Sequence, residues 1–207
     1  MGMTARERAM RLLYLTWLNV PPLRPLCDSM MERVFSAWAP DWDDHVEAHG
    51  VDHIAPLNEA LDRLDIAPRR VLDLGCGTGS TTVALAQRYP GAWVNGLDVS
   101  PRMIAEATRK ASASGSPVRF DVKRLQTTGL PSNSADLVVP LNAPPAFDEI
   151  HRLLRPGGHV VVAASRGSRT AFYSSAKRLE HGFRRHAMLT VAHGGTPPGE
   201  FFVAVKR

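Results

Sequence analysis

The hydrophobic residues of this chain repeat with two different periods, and the change between them divides the sequence. In the first part, apolar positions such as Met10, Leu13, Tyr14 and Trp17 follow helical spacing. Several prolines interrupt this part, so it predicts a set of short helices. We interpret residues 1–50 as an N-terminal helical lid or extension.

From Val51 a helix carrying Ile54, Leu57 and Leu61 runs to a stop at Pro68, and short apolar strands then alternate with helices. Strands are predicted over 70–74, 92–98, 117–122, 135–139, 158–164, 186–192 and 200–206, and helices near 79–89, 101–113, 146–154 and 170–181. This alternation predicts an α/β domain over 51–207, with a mostly parallel sheet covered on both faces. The last two strands are joined by seven residues only, which predicts that they are antiparallel neighbours.

Residues 6–20 place basic residues before an apolar run, as a signal peptide does, but Arg11 and Asn19 interrupt that run. No small-residue cleavage site follows, and no stretch approaches the ~20 apolar residues of a membrane span. An amphipathic helix that packs on the domain or on a partner is the better interpretation. We therefore expect no membrane span and a cytoplasmic protein.

Composition adds limits rather than a function. The 207 residues include 44% hydrophobic and 22% charged residues, which is ordinary for one globular domain. The two cysteines, Cys27 and Cys76, do not form a disulfide framework, and no Cys/His cluster has zinc spacing, so we predict no metal. The formal charge of +5 comes mostly from arginine, and a nucleic-acid partner is not favoured. The sequence leaves the oligomeric state open, including a homodimer.

The most informative stretch is Val71-Leu-Asp-Leu-Gly-Cys-Gly-Thr-Gly79, in which a buried strand ends and three alternate glycines lead into a helix. Such glycines let the backbone turn sharply and approach a ligand closely. The dinucleotide pattern G-x-G-x-x-G would need a glycine at its sixth position, but Ser80 stands there. Asp98 closes the second strand, at the sheet edge where ligands of such folds bind. Its carboxylate could accept both hydroxyls of a ribose or cap the following helix, and the glycine loop favours the ribose.

Four motifs in order, VLDLGCGTG, GLDVSPRMI, LPSNSADLVV and EIHRLLRPGGHVVV, resemble those of the class I S-adenosylmethionine-dependent methyltransferases, particularly the small-molecule branch that includes quinone-biosynthesis enzymes. The resemblance covers about residues 31–207. It implies a Rossmann-like seven-stranded sheet in which the last strand is antiparallel and lies between the fifth and sixth. It also implies methyl transfer from S-adenosylmethionine to a small organic acceptor, with the O, N or C atom undetermined.

The resemblance further implies which residues contact this cofactor. Those around its methionine part are Asp73, Gly75, Gly77 and Gly79, and those around its adenosine are Asp98, Val99, Met103, Leu125 and Gln126. The aromatic segment from Phe35 to Asp43 is similar to the family's lid, so Trp42 or Trp38 would screen the sulfonium from water. The family usually has an acid at the position of Gln126, so the adenine contact stays open between Gln126 and Asp121.

No motif identifies a catalytic residue. A base would assist transfer to a phenol, carboxylate or carbon acid. The candidates are His45, His49, His53, Tyr14 and Tyr173. Two other functions remain as alternatives, a non-catalytic S-adenosylmethionine-binding regulator and, less favoured, a nicotinamide-dependent oxidoreductase.

Overall fold

A seven-stranded sheet lies at the centre of the computed structural model, which describes residues 3–207. Its strands are β1 (Arg70–Leu74), β2 (Trp93–Asp98), β3 (Val118–Val122), β4 (Ala135–Val139), β5 (Leu154–Ala164), β6 (Met188–Gly194) and β7 (Glu200–Lys206). Their spatial order is β3-β2-β1-β4-β5-β7-β6, and β7 is antiparallel to both of its neighbours, whereas the others run parallel. The predicted sheet, including the place of its last strand, is confirmed.

Within residues 3–207, eight α-helices surround the sheet. They are α1 (Ala5–Asn19), α2 (Arg24–Trp38), α3 (Trp42–Glu47), α4 (Ala55–Asp62), α5 (Ser80–Arg88), α6 (Pro101–Ser114), α7 (Phe147–Leu153) and α8 (Ala176–Arg184). Buried residues of α4 and α5 pack on one face of the sheet, and those of α7 and α8 pack on the other. Helix α6 lies against β2 and β3. Both faces are therefore covered, as a parallel sheet requires.

The N-terminal helices form a third apolar cluster beside the sheet. Met10, Tyr14 and Trp17 of α1 are buried against Cys27 and Met31 of α2. Helix α1 begins with a capping box in which the Thr4 and Glu7 side chains accept each other's backbone amides. A proline in the first turn of α2 starts that helix rather than breaking one. The predicted helical spacing of the first 50 residues is confirmed.

The helix predicted over 170–181 is wrong at its start, because α8 begins only at Ala176. Ser175 caps it, since its hydroxyl accepts from the Arg178 amide. Phe172 precedes the helix and packs edge-on against Tyr14, with ring centroids 5.4 Å apart.

The observed boundaries of the other helices and strands differ from the predicted ones by a few residues. Strand β5 begins at Leu154 rather than 158, and α4 begins at Ala55 rather than Val51. Across residues 3–207, no helix combines the length and the apolar character needed to span a membrane.

Candidate functional site

The loop that joins β1 to α5 is fixed by its backbone to the neighbouring strand. The amides of Gly75 and Cys76 both donate to the carbonyl of Leu97, at 2.7 and 3.1 Å. The φ angles are +75° at Gly75, +53° at Gly77 and +89° at Gly79, a region that residues with side chains rarely adopt. The loop can therefore turn sharply at the carboxyl edge of the sheet.

Two glycines of this loop are needed for different reasons. A Cβ atom at Gly79 would lie 2.8 Å from the Phe120 ring and 2.9 Å from Ala107 Cβ, so packing beneath the loop excludes it. At Gly77 the nearest atom would be Trp42 Nε1, at 3.4 Å. Gly79 thus serves the packing of the domain, whereas Gly77 faces the Trp42 indole on the upper side of the loop.

Asp98 ends β2 beside this loop and is buried, with 7% of its surface exposed. Its Oδ2 accepts from the Gly77 amide at 3.0 Å, and its Oδ1 accepts from the Ser100 amide at 2.8 Å. Burial raises the pKa of Asp98, and these amides oppose the rise. The amides hold the carboxylate in place, and each of its oxygens keeps a lone pair for a further donor.

Asp73 lies beneath the loop and is 1% exposed. Its Oδ2 accepts from the Thr82 hydroxyl at 2.6 Å. Burial, helped by the nearby charge of Asp98, raises the pKa of Asp73 to about 7. The hydrogen bond from Thr82 opposes this rise. The carboxyl group therefore supports the start of α5, and any effect of Asp73 on a ligand passes through the loop.

A cavity of about 300 Å³ opens above the loop, and we call it the first cavity. That volume is at the lower end of those found for small-molecule sites. Among the ten residues predicted to contact a cofactor, Asp73 and Gly79 do not line it. The eight that do are Trp42, Gly75, Gly77, Asp98, Val99, Met103, Leu125 and Gln126.

One polar group in the wall lacks a partner. The Gln126 amide donates from Nε2 to Asp28 Oδ1 at 3.0 Å, and the Trp17 indole donates to the same oxygen at 2.9 Å. Because a carboxylate only accepts, this contact orients the amide and leaves Oε1 as an acceptor. Gln126 Oε1 is buried and makes no hydrogen bond within residues 3–207. Such an atom is costly unless a donor fills the position, which a ligand amine would do.

Asp121, the alternative for this contact, is engaged elsewhere. Its carboxylate accepts from the Asn95 amide at 2.9 Å and from the Arg119 guanidinium at 3.0 Å. Burial alone would raise the pKa of Asp121, but Arg119 and Asn95 lower it. Asp121 is absent from the wall of the first cavity, where Gln126 lies.

The N-terminal helices close one side of the first cavity through a contact that we call the lid latch. Asp43 of α3 accepts from the Thr78 hydroxyl of the glycine loop at 2.6 Å and pairs with Lys110 of α6. Burial would raise the pKa of Asp43, but Lys110 and Thr78 lower it, so the carboxylate is charged at neutral pH. The latch holds the neighbouring Trp42 indole above Gly77.

A second cavity of about 90 Å³ adjoins the first. The residues that line both are Phe35, Trp42, Val46, Val51, Asn142 and Phe172. Glu7, His45 and His49 bring their polar atoms within 4.8 Å of one another at the second cavity alone. The guanidinium of Arg166 contacts the same Glu7 oxygen as His49, so a positive charge already lies where a metal ion would compete for that carboxylate.

The five candidates for proton transfer separate into two groups. Three of them line the cavities, namely His45 and His49 in the second and His53 in the first, whereas Tyr14 and Tyr173 line neither. The Tyr14 hydroxyl is hydrogen-bonded to Ser174 Oγ at 2.6 Å, and burial raises the pKa of Tyr14 to about 12. The two tyrosines are thus excluded by position.

Sequence reasoning missed Glu7 and Asp28, and it assigned no contact to Asp43 or Arg166. Each of these residues reaches the cavities only through tertiary packing. Arg166 follows β5, for example, yet it pairs with Glu7 in the first turn of α1. No local pattern in the sequence indicates such a pair.

Known proteins match the segment of the chain that contains the glycine loop and Asp98. Residues 71–158 match the family described as "Methyltransferase domain". The chain is 37% identical over 139 residues to a demethylmenaquinone methyltransferase of Thermus thermophilus, covering 62% of this chain and 63% of that protein. It is 37% identical over 108 residues to a trans-aconitate 2-methyltransferase of Streptomyces avermitilis, covering 50% and 40%. The chain thus spans less than two thirds of these relatives.

A solved structure agrees with the fold. The chain superposes on a structure described as a SAM dependent methyltransferase from Aquifex aeolicus with a TM-score of 0.68. The match covers 83% of this chain and 98% of that one, at 16% sequence identity. At that identity the likeness concerns the fold alone.

Proposed function

We propose that this protein transfers a methyl group from S-adenosylmethionine to a small organic acceptor. Residues 71–158 match the methyltransferase domain family, and the whole sheet has the topology of S-adenosylmethionine-dependent methyltransferases. When bound, this cofactor supplies an electrophilic methyl group on a sulfonium. The protein must then hold an acceptor in line with that methyl and exclude water.

The observation that carries the proposal is the composition of the first cavity. Gly77, the fixed carboxylate of Asp98 and the Gln126 side chain, whose Oε1 makes no hydrogen bond within residues 3–207, all line one cavity of about 300 Å³. A ribose offers hydroxyl donors for the carboxylate, and an adenine offers an amine for the amide oxygen. These groups fit an adenosine better than they fit an apolar ligand, which would leave both acceptors unpaired.

Individual roles follow from this fit. Asp98 would hold the ribose, and the apolar side chains of Val99, Met103 and Leu125 would lie along the adenine, next to Gln126. Gly75 and Gly77 would let the backbone approach the methionine part. We assign Asp73 and Gly79 to supporting the loop from below.

We propose that residues 1–50 act as a lid on a domain formed by residues 51–207. Trp42 and Phe35 lie between the two cavities, and the lid latch joins α3 to the glycine loop. Closing this side would keep water away from the methyl group. The relatives are named for small organic acceptors, which supports an acceptor of that kind here.

The test is a calorimetric titration of the full chain with S-adenosylhomocysteine and, separately, with NADH. We expect micromolar or tighter binding of S-adenosylhomocysteine and at least 100-fold weaker binding of NADH. Preference for NADH would contradict the proposal. Cofactor binding without methyl transfer to any acceptor of a broad panel would instead support a regulatory protein.

A further inference from the structure

The second cavity adjoins the space assigned to the cofactor. Six residues line both cavities, among them Trp42 and Phe172, so a group in the second cavity faces the first across a short shared boundary. Its volume of about 90 Å³ is smaller than the ~150 Å³ in which a protein can enclose a benzene molecule. The cavity is therefore too small to enclose more than one ring, and the rest of an acceptor would extend through its open side.

Four aromatic side chains line one part of the second cavity, namely Phe35, Trp38, Trp42 and Phe172. Phe35 meets Trp38 and Trp42 edge-on, with ring centroids 5.7 Å apart in both pairs. Met10, Val46, Val51 and Ala171 add further apolar surface. Flat rings offered face and edge in this way favour a flat, apolar guest, because offset and edge-to-face contacts add to the burial of area.

The charged groups of this cavity largely satisfy one another. Burial would raise the pKa of Glu7, but the Thr4 amide and the Arg166 guanidinium lower it to about 2, so Glu7 is ionised at neutral pH. Its Oε1 accepts from His49 Nε2 at 3.1 Å and contacts Arg166. Because the charge of Arg166 is already paired, the cavity offers no free cation to an acceptor that arrives as a carboxylate.

His45 differs from its neighbours in this cluster. Its ring stands edge-on to His49, with centroids 4.9 Å apart, and makes no hydrogen bond to any group of residues 3–207. Burial lowers the pKa of His45, and the nearby His49, Arg166 and Arg6 lower it further, against the opposite effect of Glu7. An unprotonated ring nitrogen is therefore available at neutral pH, beside the aromatic walls.

On these grounds, and resting on the methyl transfer proposed above, we propose that the second cavity binds a small aromatic acceptor with an acidic hydroxyl and that His45 removes the hydroxyl proton. The acceptor's O–H bond breaks and its proton passes to a His45 ring nitrogen. The oxygen uses its electron pair to form a bond to the methyl carbon as the carbon–sulfur bond breaks, with that bond's pair left on sulfur. The products are an aryl methyl ether, a thioether and a His45 imidazolium, which releases its proton to solvent. Glu7 is a positioning residue that holds His49, whose ring stands edge-on to that of His45.

The assignment makes a prediction that does not depend on turnover. Phenol can donate its hydroxyl proton to His45, whereas anisole, its methyl ether, has no such donor. In the presence of S-adenosylhomocysteine, we expect the wild-type protein to bind phenol at least fivefold more tightly than anisole, as measured by quenching of tryptophan fluorescence. His45→Leu should remove this preference, while His181→Leu, at an exposed position of α8, should retain it.

Rates provide the second readout. His45→Gln should slow methyl transfer to catechol by about 100-fold or more, the usual contribution of a general base. It should also abolish the fall in rate as pH drops through the His45 pKa. At a pH where 4-nitrophenol is already ionised, His45→Gln should slow methyl transfer to it far less, because no hydroxyl proton has to be removed. His181→Gln should match wild type throughout.

The outcomes separate this inference from the proposal on which it rests. If the wild-type protein does not bind S-adenosylhomocysteine, the methyltransferase proposal itself fails. If it binds that compound but does not distinguish phenol from anisole, or if His45→Gln slows both phenols equally, the role of His45 is wrong. Faster methylation of trans-aconitate than of any phenol, or no methylation of any probe, would overturn the acceptor class.

Discussion

The two cavities are built differently. One wall of the first is made of backbone turns and strand ends, in which the glycine loop and Asp98 are tied together through main-chain amides, and another wall is made by the N-terminal helices. The second is formed by side chains from remote parts of the chain, such as Glu7 of α1 and Arg166 after β5. This difference fits the function proposed above, in which the strand edge, or rigid side, would recognise the cofactor and the helical lid, or lid side, would adapt to a particular acceptor.

The largest predicted effect is a loss of stability, and it tests how the glycine loop on the rigid side is packed. Gly79→Ala should lower the free energy of unfolding by about 3 kcal/mol, since it combines a left-handed backbone with an overpacked contact at Phe120 and Ala107. Gly115→Ala is the matched control, because Gly115 has a φ of +65° but open space around its Cβ position. It should cost about 1 kcal/mol. Urea unfolding of both variants measures the difference, and equal costs would show that the loop is not packed as described.

The next effect sharpens the assignment of the strand edge to ligand binding. Asp98→Asn should weaken S-adenosylhomocysteine binding by about 1 to 3 kcal/mol, because the ribose hydroxyls lose their charged acceptor. The control is Asp121→Asn at the end of the neighbouring strand, which lies outside the first cavity and should bind as wild type does. Calorimetry compares the two variants. If Asp121→Asn weakens binding as much as Asp98→Asn does, the adenosine site would have to be placed nearer β3.

Much of the rigid side could be predicted from the sequence, because its signals are local. Alternating apolar runs identified all seven strands, and the glycine spacing identified the loop before α5. Asp98 was predicted from its position at a strand end together with the neighbouring glycine loop. Asp73 and Gly79 show the limit of such a motif. Both belong to the motif, but neither lines the first cavity. Asp73 is hydrogen-bonded to Thr82, and Gly79 packs against Phe120, contacts that the motif does not indicate.

The lid side could be predicted only in outline. Helical spacing and prolines indicated several helices in residues 1–50, but not their packing against the domain. The start of α8 was misplaced because residues 170–175 carry no strong helix breaker. The pairing of Glu7 with Arg166 joins residues 159 positions apart, which no periodicity can encode.

The smallest predicted effect lies where the two sides meet, at the lid latch. Asp43→Asn should weaken S-adenosylhomocysteine binding by less than about 1 kcal/mol, because the Asp43–Lys110 pair is partly exposed and screened. Added salt should shrink the difference from wild type. Since the pKa of Asp43 is lowered in the folded protein, the latch contributes stability above the ordinary aspartate pKa and loses it as pH falls through the lowered value.

The control for the latch is Glu106→Gln, which removes an exposed ion pair with Arg109 on the same helix as Lys110. Its cofactor affinity should equal that of the wild type at every salt concentration. If Asp43→Asn and Glu106→Gln behave alike at low salt, the lid does not close on the glycine loop through this contact.

The most direct test of the account is a crystal structure of the chain grown with saturating S-adenosylhomocysteine. We predict adenosine density in the first cavity, with the ribose hydroxyls at Asp98, the adenine amine at Gln126 Oε1 and the sulfur facing the second cavity. Crystals in which the first cavity stays empty at saturation, or in which the compound binds at another surface, would contradict the account.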